Sequence, residues 1–122
     1  MLRAQLILNI MPLKPLKTKH RLEELKHNPR RAFNYALITL KGRWPEAEPY
    51  IMKDASAAVS YAQDILKQPW PEAEPYILKS YEDAIIYTLV VKQKKWPELE
   101  KIIDGKPRLV QDYNYKTRYL YS

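Results

Sequence analysis

Apolar and polar residues alternate through the middle of this chain with a helical period. In residues 55–67, Ala55, Ala58, Val59, Ala62, Ile65 and Leu66 share one side of a helical wheel, while Ser56, Ser60, Gln63, Asp64 and Lys67 share the other. Tyr61 lies at the edge of the apolar side, and Tyr35, Tyr87 and Tyr113 hold that same edge at intervals of 26 residues. Ala32, Ala58 and Ala84 share another position, where a small side chain lets neighbouring helices approach closely. The pattern predicts one amphipathic helix of about 13 residues in each period.

Between these long helices the sequence repeats letter for letter. Trp44-Pro45-Glu46-Ala47-Glu48-Pro49-Tyr50-Ile51 recurs as Trp70-Pro71-Glu72-Ala73-Glu74-Pro75-Tyr76-Ile77, and a decayed copy, Trp96-Pro97-Glu98-Leu99-Glu100, follows after a further 26 residues. An octamer copied in phase marks a repeat protein, whose units bury their apolar stripes against one another. Each copy reads as the start of a short helix. Its first proline sits where a missing N–H costs nothing. Its glutamates favour the positive end of the helix dipole. Pro49 and Pro75 confine that helix to about two turns, because a proline deeper inside costs about 3 kcal/mol. Asn28, Asp54 and Ser80 then stand one period apart as N-caps of the long helices. Gly42 is expected to close the first long helix as a left-handed residue.

The fold expected is all-α: a short α-solenoid of four helix-turn-helix repeats of period 26, over about 19–41, 45–67, 71–93 and 97–120, with degenerate terminal units. Residues 1–18 are read as an N-terminal segment and linker, and residues 19–122 as a single helical-repeat domain. In the first segment Leu2, Leu6, Ile7 and Ile10 have helical spacing, though Leu6, Leu8 and Ile10 also alternate as in a strand, and Pro12 and Pro15 break any helix. In the last unit Gln111, Asn114, Thr117 and Arg118 are expected at inward positions, giving the wetter face that a terminal cap needs.

Composition narrows the chemistry. The chain has 122 residues, only two glycines and no cysteine. That leaves no glycine-rich phosphate loop, no disulfide framework and no thiolate, and it accords with a reducing cytoplasm. No apolar run reaches the roughly 18 residues of a membrane span, so no membrane partner is expected. The net charge of +7 is uneven: residues 1–43 carry ten Lys/Arg against two Asp/Glu, residues 44–104 seven against eleven, and residues 105–122 four against one.

Positions where the units disagree are the candidates for function. Leu37 and Ile38 stand where the second unit has Gln63 and Asp64; Leu89 and Val90 stand there in the third, joined by Ile86 in place of Ser60. This outer apolar face is the candidate partner-binding surface, for another protein or for a second copy of the chain. A competing reading covers it from within, with residues 1–10 over Leu37 and Ile38 and the C-terminal tyrosines over Leu89 and Val90. Trp44, Trp70 and Trp96, with Tyr35, Tyr61, Tyr87 and Tyr113, are read as structural because they recur with the scaffold. The glutamate pairs recur in the same way, and residues two apart on a helix do not face each other, so they are assigned to helix starts rather than to acid–base chemistry. His20 and His27 lack the spacing that would complete a metal site and are read as surface residues. No enzyme activity and no cofactor are expected. Arg30, Arg31, Lys92, Lys94, Lys95, Arg108, Lys116 and Arg118 are candidate nucleic-acid contacts, a reading ranked behind protein binding because the central units are acidic.

The unit Trp-Pro-Glu-Ala-Glu-Pro-Tyr-Ile, followed by a capped helix, resembles the short helical repeats of uncharacterised proteins from tailed bacteriophages and large DNA viruses. The matching segments are Arg43 to Lys67 and Pro69 to Lys79, with weaker copies at Asn28 to Arg43 and Trp96 to Glu100, about two-thirds of the chain. The resemblance implies a non-enzymatic viral protein in the host-cell cytoplasm that binds and modulates a host factor. It assigns no active site.

Overall fold

The computed structural model describes residues 22–121, so the expectations for residues 1–18 and for His20 lie outside the described residues. Among the described residues every regular element is a helix and no strand occurs. Helix α1 covers 22–26. Helix α2 is α-helical over Pro29–Asn34 and widens to a π-type turn over Tyr35–Leu40. Helix α3 begins as a 3₁₀ turn, Pro45–Ala47, and continues as Glu48–Ile51. Helix α4 runs over Ala55–Tyr61 and widens at Ala62–Leu66. The pattern repeats in α5 (Pro71–Ala73, then Glu74–Ile77) and α6 (Tyr81–Tyr87, then Thr88–Lys92). Two plain helices finish the chain, α7 over Pro97–Ile103 and α8 over Pro107–Lys116.

Sequence explains the split of α3 and α5. Pro49 and Pro75 have no N–H to give to the carbonyl four residues back, so the Pro45 and Pro71 carbonyls accept from the Glu48 and Glu74 N–H groups instead, closing a 3₁₀ turn; the Glu48 N–H is shared with the Trp44 carbonyl at 3.2 Å. In α7 Lys101 stands where the second proline would fall, and the helix is α from its first residue. The long helices open as expected. The side chains of Asn28, Asp54 and Ser80 accept from the N–H groups of Arg31, Ala57 and Asp83, at 3.2, 2.9 and 3.4 Å.

Long helices α2, α4 and α6 lie side by side, α4 against both others. Ala32, Ala58 and Ala84 are fully buried in them. Each short helix packs against the long helix on either side of it in sequence. Ala47, Ala73 and Leu99, and likewise Ile51, Ile77 and Ile103, bring one buried side chain per period from the short helices. Leu25 repeats the isoleucine position in α1, packed against the core but half-buried.

Two expectations are corrected. Gly42 is not the left-handed residue; Lys41 is, at φ 55°, and Lys67 and Gln93 adopt the same conformation at φ 56° and 57°. The widened last turn decides this. The N–H groups of Lys67 and Gln93 reach back five residues to Ala62 and Thr88, at 2.6 and 2.8 Å, and that closure forces a positive φ whatever the side chain. In α8, Gln111, Asn114 and Arg118 are exposed rather than inward. The inward set is Leu109, Val110, Tyr113 and Thr117, and the buried Thr117 hydroxyl donates to the Tyr113 carbonyl at 2.6 Å. The helix starts in phase with the others, Pro107 standing one period after Tyr81, so Gln111 and Asn114 fall where α6 buries Ile85 and Thr88; no later helix among the described residues covers them.

A residue with a Cβ loses about 1 kcal/mol in the left-handed region, partly offset by the extra unfolded-state freedom of a glycine put there. Lys67→Gly and Gln93→Gly are therefore expected to be neutral to stabilising by up to about 1 kcal/mol, and Lys67→Val to be destabilising by more than that. Urea denaturation measures both, and a Gly variant less stable than the parent by about 1 kcal/mol contradicts this account of the turn.

Candidate functional site

The most regular polar arrangement in the molecule is a three-member chain present in three successive units. Trp44, Trp70 and Trp96 each precede a proline, which holds them extended, with φ from −117° to −129° and ψ from 80° to 95°. Their backbone N–H groups fall outside any helix. Each donates to a tyrosine hydroxyl 17 residues on: Trp44 to Tyr61 at 2.8 Å, Trp70 to Tyr87 at 2.7 Å, Trp96 to Tyr113 at 2.8 Å. Each hydroxyl then donates to a glutamate 13 residues earlier: Tyr61 to Glu48 at 2.6 Å, Tyr87 to Glu74 at 2.8 Å, Tyr113 to Glu100 at 2.6 Å. The three tyrosines are at most 1% exposed. They lie in the core, not at its edge.

The tryptophan rings point the other way, toward the preceding long helix. Tyr35 meets Trp44, Tyr61 meets Trp70 and Tyr87 meets Trp96, with ring centroids 5.0, 5.0 and 5.3 Å apart and the planes tilted, a favourable aromatic arrangement. The indoles are 7%, 4% and 2% exposed. They offer no open face to a base or a ligand cation.

Glu48 and Glu74 are held by different cations. Arg43 forks onto Glu48 with two bonds of 2.9 Å, whereas Lys92, from the end of α6, stands 3.5 Å from Glu74 and 5.1 Å over the Trp96 ring. Burial alone would raise the Glu48 carboxyl, but hydrogen bonds from Arg43 and Tyr61, with the Arg43 charge, outweigh it and hold Glu48 below the usual carboxylate range. Burial, then the neighbouring glutamate, pushes the Tyr61 and Tyr113 phenols well above their ordinary value; for Tyr87 burial again leads. A half-open cleft of about 370 Å³ between α3 and α5 is lined by Pro45, Met52, Leu66 and Trp70, with the mutually paired Arg43 and Glu48 and the carboxylate of Glu72 as its charged residues.

The candidate partner-binding residues are distributed differently. Leu37, Ile38 and Ile86 are 37%, 67% and 44% exposed, and Leu40 joins the first two at 42%. Leu89 and Val90 are half-buried against the core. The five residues do not form one patch. Helix α4 stands between α2 and α6, and its Gln63 and Asp64 are exposed. The C-terminal tyrosines leave most of their surface open, with Tyr115, Tyr119 and Tyr121 at 65%, 82% and 84%.

The candidate nucleic-acid contacts are scattered, and several are engaged. Arg30 donates to Ser56 at 2.8 Å and to Ser60 at 3.5 Å, tying α2 to α4. Lys116 pairs with Asp112 at 3.2 Å, and Lys92 is held as described. Arg31, Lys94 and Arg108 are exposed and Lys95 is half-buried. His27 packs against Tyr50 with the rings tilted and their centroids 4.6 Å apart. Among the described residues no three of His, Asp or Glu are grouped to hold a metal ion, and no helix is long and apolar enough to cross a membrane.

Comparison with family models, curated proteins and solved structures finds no match to the chain.

The residue sequence reasoning missed is the second glutamate of the octamer. Its signal was present: the decayed copy loses the second proline and the octamer tyrosine, yet keeps Trp96, Pro97, Glu100 and Tyr113. In the first unit Leu22 stands at the glutamate position.

Two predictions follow from this geometry. Tyr87→Phe leaves the Trp70 N–H without a partner and Glu74 Oε2 with only Lys92 at 3.5 Å, and should cost about 1–3 kcal/mol in a denaturation series, while a loss below about 0.5 kcal/mol makes the bond incidental. The pH limbs have opposite signs. Glu48 titrates lower in the folded state, so its stabilisation holds above the ordinary carboxyl value of 4.5 and is lost as pH falls through the folded value. The three phenols titrate higher when folded, so above the ordinary phenol value of 10.0 the unfolded chain binds fewer protons and stability falls as pH rises. The slope is about 1.4 kcal/mol per pH unit for each tyrosine. Absorbance titration should show a late step worth three of the ten tyrosines, coincident with loss of helicity.

Proposed function

We propose that the chain is a short α-solenoid of period 26 whose work is to bind another protein. Recurrence of helix, cap, widened turn and Trp–Tyr–Glu link at 26-residue intervals supports the architecture. The tryptophan and the second glutamate of each copy are taken up in joining helices, which supports a structural rather than a chemical role for them. What carries the binding reading is the pair of apolar sites on α2 and α6, led by Ile38 and Ile86, with polar α4 between them. Packed helices lie about 8–10 Å apart, so the two sites are separated by roughly 16–20 Å. A fitting partner presents two apolar anchors at that separation with a polar middle. A second copy of this chain is the alternative occupant. The resemblance to phage repeat proteins, which rests on the octamer, favours a viral protein that binds and modulates a host factor.

The exposed pair is a cleaner handle than Leu89 and Val90, which the core also uses. Ile38→Asp with Ile86→Asp should leave the circular dichroism spectrum and melting unchanged. It should also remove the proteins that wild type alone captures from a host lysate, or shift a dimer to monomer in light scattering. A variant with unaltered captures and mass leaves this face without a binding role.

A further inference from the structure

Beyond that reading, a second surface lies at the C-terminal end. Three tyrosines within seven residues, Tyr115, Tyr119 and Tyr121, are 65–84% exposed, whereas Tyr61, Tyr87 and Tyr113 are buried. The Arg118 guanidinium lies 4.0 Å from the Tyr115 ring centroid and 4.7 Å from that of Tyr119, between the two. Its Nη1 donates to the Tyr115 carbonyl, which fixes it further. Among the described residues no carboxylate pairs with Arg118. The acid nearest to it in sequence, Asp112 on α8, is paired with Lys116.

The chain also folds back here. The Lys95 N–H donates to the Tyr121 carbonyl at 2.7 Å, so the Lys94–Lys95 turn, 26 residues earlier, lies against this tail. Lys94 is exposed. Flat, wetted aromatic faces and unpaired cations thus meet on one end of the molecule. A tyrosine left in water gains nothing from burial, and a guanidinium lying against aromatic rings keeps its remaining N–H groups available for phosphate oxygens.

We propose that this end binds a single-stranded polynucleotide, its bases stacking on Tyr119 and Tyr121 and its phosphates meeting Arg118, Lys94 and Lys95. Stacking on tyrosine tolerates any base, so the site reads the presence of unpaired bases rather than their sequence. A duplex hides its base faces and fits poorly. An acidic polypeptide would satisfy the cations but leave the rings unused.

The test is fluorescence anisotropy of a labelled oligothymidylate with the full chain. Binding at about 50 mM salt is expected to weaken with a log–log slope near −2, about −0.7 for each of three neutralised phosphates. Tyr119→Ala and Tyr121→Ala should each weaken binding about fivefold or more, whereas Tyr119→Phe, which keeps the ring, should not. Arg118→Ala should weaken it and flatten the slope. These side chains are exposed, and unchanged circular dichroism verifies that the variants fold. Ile38→Asp with Ile86→Asp should bind the oligonucleotide normally, so failure here and failure of the protein-binding reading are separable. No binding at low salt overturns the proposal. So does binding that is indifferent to the rings, or that a glutamate-rich peptide matches.

Discussion

A single buried hydroxyl in each of three successive units carries the architecture. It accepts from a tryptophan N–H that no helix can use and donates to a glutamate that would otherwise be a costly charge beside the core. The tyrosine that carries it also lays its ring against the tryptophan of the next unit. One residue thus fastens the start of its own short helix and supplies the packing surface for the following one. Proline makes the arrangement possible. It holds the tryptophan extended, so that the N–H points back toward the long helix instead of forward into the short one.

The charge on the glutamate is balanced locally, and units differ in how. Arg43 reaches Glu48 from the preceding loop, while Lys92 reaches Glu74 from the end of α6 and also lies over Trp96. Leu66 occupies the position of Lys92 one period earlier, and there the cleft between α3 and α5 stays open. The hydroxyl link persists across this exchange, which marks it as the fixed part and the cation as the adjustable part. The same division separates scaffold from surface. Positions tied into the link are invariant among the internal copies, whereas Ile38, Asp64 and Val90, one period apart on the long helices, vary freely from apolar to acidic.

Much of this was legible before the structure. The stripe of Ala58, Val59 and Ala62 dictated a helix, and Asn28, Asp54 and Ser80 marked where helices begin, because capping depends on a side chain's own chemistry. The ends of the long helices were not legible. Glycine's tolerance of positive φ points to Gly42, yet the five-residue closure selects Lys41, Lys67 and Gln93 by position alone. The hydroxyl link was half legible. A wheel places Tyr61 by angle and says nothing of which polar atom it meets, although the fixed intervals from Trp44 and Glu48 were countable. The apolar surface was found residue by residue but not as a shape. Only packing reveals that α4 splits it in two.

The central claim is most directly tested by native-state hydrogen exchange at the backbone amides of Trp44, Trp70 and Trp96. These amides lie in loops before a proline, so without the tyrosine hydroxyl they would exchange as fast as exposed neighbours such as Gln68 or Lys94. The account predicts that all three are protected nearly as strongly as the core helical amides of Ala58 and Ala84, opening only with global unfolding. Exchange of the tryptophan amides at the loop rate would contradict it.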